Sequence, residues 1–273
     1  MKKIAQISLL RICQPCAGAL LLALGVCAAN AQSSHADRVA SNKELRVCIW
    51  PDYYGISYRN PKTQQLEGVD IDLSQAFAKD LGVKLRYVDS SFSKLVEDLT
   101  QDHCDIAMFS IGITAARAEK LRFSHPYLVS DIYAITTRSN RRIKVWEDID
   151  QAGVVVSVAK GTLHETVMRD KLKAATLSVN ATPQGREQDV ESGRADVFMT
   201  DYPFSRRMLE QTDWARLVRP SSTFNLTPYA YAVAAGDAQW LQRVDKFVAD
   251  IKRDGRLAAA AKKNGLEPIV VRD

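Results

Sequence analysis

With 273 residues, 46% of them apolar and 25% charged, the chain has a globular composition and enough material for one large domain or two smaller lobes. Five Cys, 13 Gly and 9 Pro exclude a small disulfide scaffold and a collagen-like chain, and no repeat of 20 to 50 residues marks a solenoid. The formal net charge of +5 hints at a polyanionic partner until its distribution is considered.

Lys2, Lys3 and Arg11 precede an apolar run over 17–29 (AGALLLALGVCAA), and Ala29-Asn30-Ala31 fits an A-x-A cleavage site. A secretory signal peptide over 1–31 is therefore expected, with export to the periplasm. The run is shorter than the ~20 apolar residues of a membrane span and lacks a stop-transfer flank, which argues against a retained anchor. Leu24-Gly25-Val26-Cys27 is only a degenerate match to a lipid-attachment box. Cleavage after Ala31 leaves 242 residues with 34 basic against 32 acidic, so the mature chain is nearly neutral. That balance does not suit binding of nucleic acid through charge, and no stable membrane insertion is expected after cleavage.

Cleavage also removes Cys13, Cys16 and Cys27, so the Cys13-Gln-Pro-Cys16 match to a C-x-x-C motif is read as accidental. Cys48 and Cys104 remain. An oxidising compartment permits them to pair, but their positions in two separate predicted strands equally suit two buried thiols.

Short apolar strands alternate with amphipathic helices along the mature chain. Strands are expected at 45–50 (LRVCIW), 83–88 and 105–108 (DIAM), with helices at 72–81, closed by Gly82, and 92–100. The pattern then restarts, with strands at 154–158, 176–179 and 195–199 (ADVFM) and helices at 163–173 and 184–192. This order predicts two α/β lobes of similar plan, each an open, largely parallel sheet covered by helices. Extended, aromatic-rich segments at 131–137 (DIYAITT) and 228–233 (PYAYAV) stand where the chain leaves and re-enters the first lobe, which predicts a two-strand hinge near 131–137 and 226–233. The first lobe then comprises 40–132 and 230–273, with helices at 238–254 and 256–264, and the second comprises 138–225. A ligand is expected in the cleft at the carboxyl ends of the strands.

Several motifs add a family likeness. Gly68-Val69-Asp70-Ile71-Asp72-Leu73, Asp105-Ile106-Ala107-Met108 and the run from Thr114 through Arg117 to Ser124-His125-Pro126-Tyr127 resemble successive signatures of the family 3 periplasmic solute-binding proteins. Lys160-Gly161-Thr162-Leu163-His164-Glu165, Gly193-Arg194-Ala195-Asp196-Val197 and Thr200-Asp201 resemble the second-lobe motifs in the same order. The resemblance implies a type II periplasmic-binding fold whose lobes close over a small solute, usually an amino acid, for delivery to an ABC permease. A role of this kind needs no oligomer, and a monomer is expected.

The resemblance also implies site residues. Arg117 matches the arginine that grips the solute carboxylate, for which a planar guanidinium fork is suited, and Asp201 matches the acid that receives the ammonium; a plain N-cap is the alternative for Asp201. Gly161 and Thr162 form a strand-to-helix turn whose free amides favour an anion, and Thr162 is also a candidate N-cap. Ser110 and Gly112 follow the third strand toward the carboxylate. Tyr53 and Phe92 fall where relatives place aromatic walls, and Tyr54 and Phe109 extend that wall or belong to the core. Gly112 and Leu163 depart from the pattern, standing where relatives carry hydroxyl residues, and Gly55-Ile56 replaces a Pro-Phe pair. Two missing donors widen the solute class from ordinary α-amino acids to other small carboxylates or a less polar solute.

Cyclohexadienyl dehydratases, which act on prephenate and arogenate, resemble the same family and carry a Glu after the second-lobe glycine. Glu165 matches it and is the candidate general acid of an enzyme reading, against an ordinary Glu at a helix start. A third class, a sensor or the accessory protein of a redox enzyme, leaves no mark in the sequence. His164-Glu165-Thr166-Val167-Met168 lacks the second His of H-E-x-x-H, and His35, His103 and His125 are scattered; Asp70-Ile71-Asp72 could suggest a metal, but alternation puts both acids on one face of an extended stretch and Asp72 can cap the following helix, so capping is preferred. No nucleophile elbow or phosphate loop is present, and neither cofactor nor metal is inferred.

Overall fold

The computed structural model describes residues 34–272, which belong to one compact unit spanning 33–273. The signal peptide expected over 1–31, with its cleavage site, lies outside the described residues. Among the described residues no helix is long and apolar enough to cross a membrane.

The first lobe is built on the strands Lys84–Asp89, Glu44–Ile49 and Ile106–Gly112, which run parallel in that spatial order, followed by the antiparallel Thr227–Ala234 and Leu121–Phe123. Leu128–Ser130 also pairs with Thr227–Ala234. The strand Glu44–Ile49 is apolar and buried from Val47 to Ile49, as expected where helices cover both faces of the sheet. One of them, Ala238–Arg253, buries Trp240, Val244, Phe247, Val248 and Ile251, the single stripe that a period of 3.6 dictates. That stripe meets Phe77, whose ring centroid lies 5.7 Å from Trp240 and 4.5 Å from Phe247. Each such side chain contributes about 1.5–3 kcal/mol when fully buried.

Thr176–Asn180, Val155–Ala159 and Val197–Thr200 form the parallel part of the second sheet, and Tyr133–Thr137 and Ala215–Val218 complete it antiparallel. The chain thus crosses between the lobes at 131–132 and again at 219–226. Most of the two segments expected as hinge strands belongs to a sheet: Tyr133–Thr137 to the second lobe and Thr227–Ala234 to the first. Their β-branched and aromatic content reflects burial within the sheets. The Asp131 carboxylate joins the two crossings by accepting from Phe224 N at 2.9 Å and Asn225 N at 2.7 Å.

Two local expectations need revision. Cys48 and Cys104 form a disulfide with Cα atoms 5.6 Å apart, because Cys104 stands two residues before the strand Ile106–Gly112, which pairs beside Cys48. Separation in sequence concealed their proximity across the sheet. The helix Val69–Leu81 starts three residues earlier than expected, with Gly68 rather than Asp72 at its N-cap. Asp70 therefore turns inward and is fully buried, whereas Asp72 turns outward to Lys263 at 2.7 Å.

Candidate functional site

The carboxyl ends of both parallel strand sets face one cleft, where turns and helix starts carry the side chains. Its lining comprises Trp50, Tyr53, Phe92, Ser110, Gly112, Arg117 and Tyr229 from the first lobe. Thr162, Leu163, His164, Arg186, Thr200, Asp201 and Phe204 line it from the second. The lobes stand close together over a cavity of about 20 Å³, so a solute of amino-acid size enters only when they part.

Arg117 lies on the short helix Ala115–Ala118, which Thr114 caps. Its Nη1 donates to Gly112 O at 2.7 Å and its Nη2 to Gly161 O at 3.1 Å, while its guanidinium carbon sits 5.2 Å from the Phe92 ring centroid. Burial lowers its pKa to about 10, and no carboxylate pairs with it among the described residues. It remains charged at neutral pH and has no counterion at hand.

Asp201 caps the helix Tyr202–Gln211 by accepting from Phe204 N at 3.1 Å. Its Oδ2 also accepts from Tyr229 Oη at 3.0 Å and from the Tyr53 hydroxyl of the first lobe. The N-cap and cleft roles thus coexist in one carboxylate. Burial raises its pKa, opposed by the Tyr53, Phe204 and Tyr229 hydrogen bonds.

The aromatic wall consists of Trp50, Tyr53 and Phe92, with Trp50 and Phe92 centroids 5.1 Å apart. Phe109 supports Phe92 from behind at 5.1 Å, fully buried and outside the lining. Tyr54 is also outside it; its hydroxyl reaches Glu210 of the second lobe at 3.2 Å. Ser110 lines the cleft in the left-handed region, φ 49°, held by Asp70 through its backbone N–H at 2.8 Å. Asp70 further accepts from Tyr127 and Tyr231, and its burial moves the carboxyl up to about 7.

Thr162 caps the helix Leu163–Lys171, and its hydroxyl donates to Ala159 O at 2.7 Å. Gly161 contributes its carbonyl to Arg117. Glu165 turns away from the cleft: its carboxylate accepts from Gly161 N at 2.7 Å and pairs with Arg169 at 2.9 Å. The preceding residue, His164, faces the cleft instead. The two departures from the family pattern meet in space, because a Cβ on Gly112 would stand 3.6 Å from Leu163 Cδ2. That is ordinary van der Waals contact, and the tighter neighbour of such a Cβ is Thr227 Cγ2 at 3.2 Å.

Sequence reasoning missed Trp50, Arg186, Thr200, Phe204 and Tyr229 as cleft residues, and considered His164 only for a zinc motif. Tyr229 lay in a segment already read as extended, whose alternation could have pointed it inward, and Thr200 directly follows the strand expected at 195–199. Arg186 sits on a polar helix and had no local signal. The cluster His35, Asp102 and Asp105 has ligand atoms close enough for a cation, but Arg38 and Arg46 already pair with both carboxylates.

Two lobes, two mixed sheets with parallel cores and a cleft at their carboxyl edges define a type II periplasmic-binding fold. The profile of the bacterial extracellular solute-binding proteins, family 3, matches residues 45–267, and the chain belongs to that family. It is 34% identical over 230 residues to the cyclohexadienyl dehydratase of Pseudomonas aeruginosa, covering 82% of this chain and 85% of the relative. The L-cystine-binding protein TcyJ of Escherichia coli K12 is 24% identical over 89% of this chain and 92% of its own length. Among solved structures, the ancestral amino acid-binding protein AncCDT-1, a precursor of cyclohexadienyl dehydratase, superposes with a TM-score of 0.77 at 30% identity, covering 84% of this chain and 99% of the ancestor.

Proposed function

We propose that the chain is an exported, monomeric binding protein that captures a small carboxylate solute, an amino acid or a close relative of one, and presents it to an ABC permease. The observation that carries this reading is the pair of buried opposite charges, Arg117 on one lobe and Asp201 on the other, lining one cleft beside an aromatic wall. A carboxylate on Arg117 and an ammonium near Asp201 are held together only when the lobes close, so the solute stabilises the closed form. Amino acid-binding relatives and the extracellular character of the family support the same reading. Thermal shifts of the mature protein, unfolded and refolded to shed bound solute, test it against amino acids and keto acids. A solute at ~100 times its Kd adds about 2.7 kcal/mol of stability.

A second reading, a cyclohexadienyl dehydratase, is favoured by the 34% identity to the Pseudomonas enzyme. The bonds of Glu165 to Gly161 and Arg169 leave that carboxylate without a path to a solute in the cleft. Formation of phenylpyruvate from prephenate by the purified protein distinguishes the two readings.

A further inference from the structure

Three polar side chains of the second lobe line the cleft with buried atoms that no hydrogen bond satisfies: Arg186 Nε, Thr200 Oγ1 and a ring nitrogen of His164, whose imidazole also lies against the Thr200 backbone. They come from three elements, the helix Pro183–Glu191, the end of the strand Val197–Thr200 and the first turn of the helix Leu163–Lys171. A buried polar atom without a partner costs about 1–3 kcal/mol, so convergence of such atoms on one cavity marks a place for a ligand.

Arg186 dominates this group. It is 2% exposed, its guanidinium lies 4.9 Å from the Phe198 ring centroid and 4.4 Å from that of Phe204, and Nη1 donates to Met199 O at 2.8 Å. No carboxylate pairs with it among the described residues; the adjacent Glu187 is directed to Arg207, 3.7 Å away. Packing between two rings fixes the plane of the guanidinium, and burial lowers its pKa only to about 10, so it is a charged, oriented donor. The cleft therefore holds two buried cations, Arg117 and Arg186, against one buried anion, Asp201. A neutral zwitterion leaves one buried positive charge uncompensated, an acidic α-amino acid of net charge −1 balances the site, and a diacid without an ammonium pairs both cations while Asp201 keeps its tyrosine hydrogen bonds.

We propose that Arg186, with Thr200 and His164 beside it, is a second anion subsite, and that the solute is a small dicarboxylate. One carboxylate binds Arg117 and the other binds Arg186; where an ammonium is also present, as in an acidic α-amino acid, it lies near Asp201. Thr200 donates its hydroxyl to the second carboxylate, and neutral His164 donates one ring N–H. This assignment rests on the cleft being the solute site and specifies the solute that it takes.

Titration calorimetry of the refolded mature protein with L-glutamate, L-aspartate, succinate, L-glutamine and L-arginine tests it. The expected result is that at least one diacid binds more than about tenfold tighter than L-glutamine, a difference of ~1.4 kcal/mol. In Arg186→Gln the ratio of diacid to glutamine affinity falls to near one. Should Arg186→Gln fail to fold, Thr200→Val, which keeps the shape and removes the hydroxyl, is expected to lower that ratio by about threefold or more. Tight capture of a neutral or basic amino acid in preference to every diacid overturns the dicarboxylate assignment and leaves the cleft reading standing. Equal loss of both ligands in Arg186→Gln also overturns it. Failure of every one of these solutes to bind overturns the assignment and counts against the cleft reading itself.

Discussion

Arg117 Nη2 donates to the carbonyl of Gly161 at 3.1 Å, so a cation of the first lobe reaches across the cleft to the strand-to-helix turn of the second. The same guanidinium holds Gly112 O at 2.7 Å, and neither acceptor is charged. Closing the lobes therefore buries a positive charge against carbonyl dipoles and the Phe92 ring with no carboxylate partner, an arrangement that a solute carboxylate completes.

Replacing Arg117 by Ala should consequently weaken solute binding by about tenfold to a hundredfold, the range of a charge-assisted hydrogen bond or two. Denaturant unfolding of the solute-free variant should show stability unchanged or increased, because an unpaired buried charge is removed. A variant that unfolds, or one with full affinity, contradicts the assigned role.

Gly161 has φ +77°, and a Cβ there would stand 2.7 Å from Ser93 N and Ser93 Cα on the opposite lobe. Gly161→Ala should fold yet resist closure, since the clash exists only when the lobes meet. Small-angle scattering with saturating solute should give a larger radius of gyration than wild type, with a reduced affinity. An unchanged radius and affinity would show that the turn yields easily.

Gly112 and Leu163 should behave as a coupled pair. A Cβ at 112 would lie 3.2 Å from Thr227 Cγ2 of the same lobe and in ordinary contact, 3.6 Å, with Leu163 Cδ2 across the cleft, so the added hydroxyl of Gly112→Ser must find room between them and is expected to lower affinity. Adding Leu163→Thr relieves part of that crowding, and calorimetry on the double-mutant cycle should give an interaction of about 0.5–3 kcal/mol. Additive effects would refute the coupling.

Two buried groups set opposing pH dependences. Burial, reinforced by Arg186, lowers His164 to about 3, so between pH 3 and 6.5 the unfolded chain binds more protons at this residue and stability falls as the solution is acidified. At pH 4.5 this amounts to about 2–3 kcal/mol relative to pH 7. Burial raises Asp70 from 3.8 to about 7, so the folded chain binds more protons there and stability falls as pH rises across that interval. Urea unfolding of solute-free His164→Gln at pH 7 and 4.5 should lose less stability on acidification than wild type. An identical loss would remove His164 from the account.

The Cys48–Cys104 disulfide closes a loop across a sequence separation of 56 residues. By chain entropy it stabilises the fold by about 4 kcal/mol. The double variant Cys48→Ala/Cys104→Ala should show a correspondingly lower urea midpoint with solute affinity retained, since neither residue lines the cleft. An unchanged midpoint would mean that the sheet alone sets stability here.

Much of this organisation was legible before any coordinates. Strands and helices of both lobes followed from hydrophobic period, whereas Arg117 and Asp201 were singled out only by the resemblance to the family 3 solute-binding proteins, and both line the cleft. The interlobe crossings were harder to place, because Tyr133–Thr137 and Thr227–Ala234 carry the composition of buried strands whichever sheet they join. Arg186 was invisible: its burial depends on Phe198 and Phe204, which surround it only in the folded lobe. Glu165 and His164 illustrate a finer limit. One residue of helical rotation, about 100°, directs the imidazole into the cleft and the carboxylate to Gly161 N and Arg169, and motif matching does not resolve that rotation.

The most direct measurement is titration calorimetry of the refolded mature protein, wild type beside Arg117→Ala, with the small carboxylate that gives the largest thermal shift. The account predicts one site per chain in the wild type and an affinity lower by at least about tenfold in the variant, with folding intact. Equal affinity in the two proteins would contradict a solute held between Arg117 and Asp201.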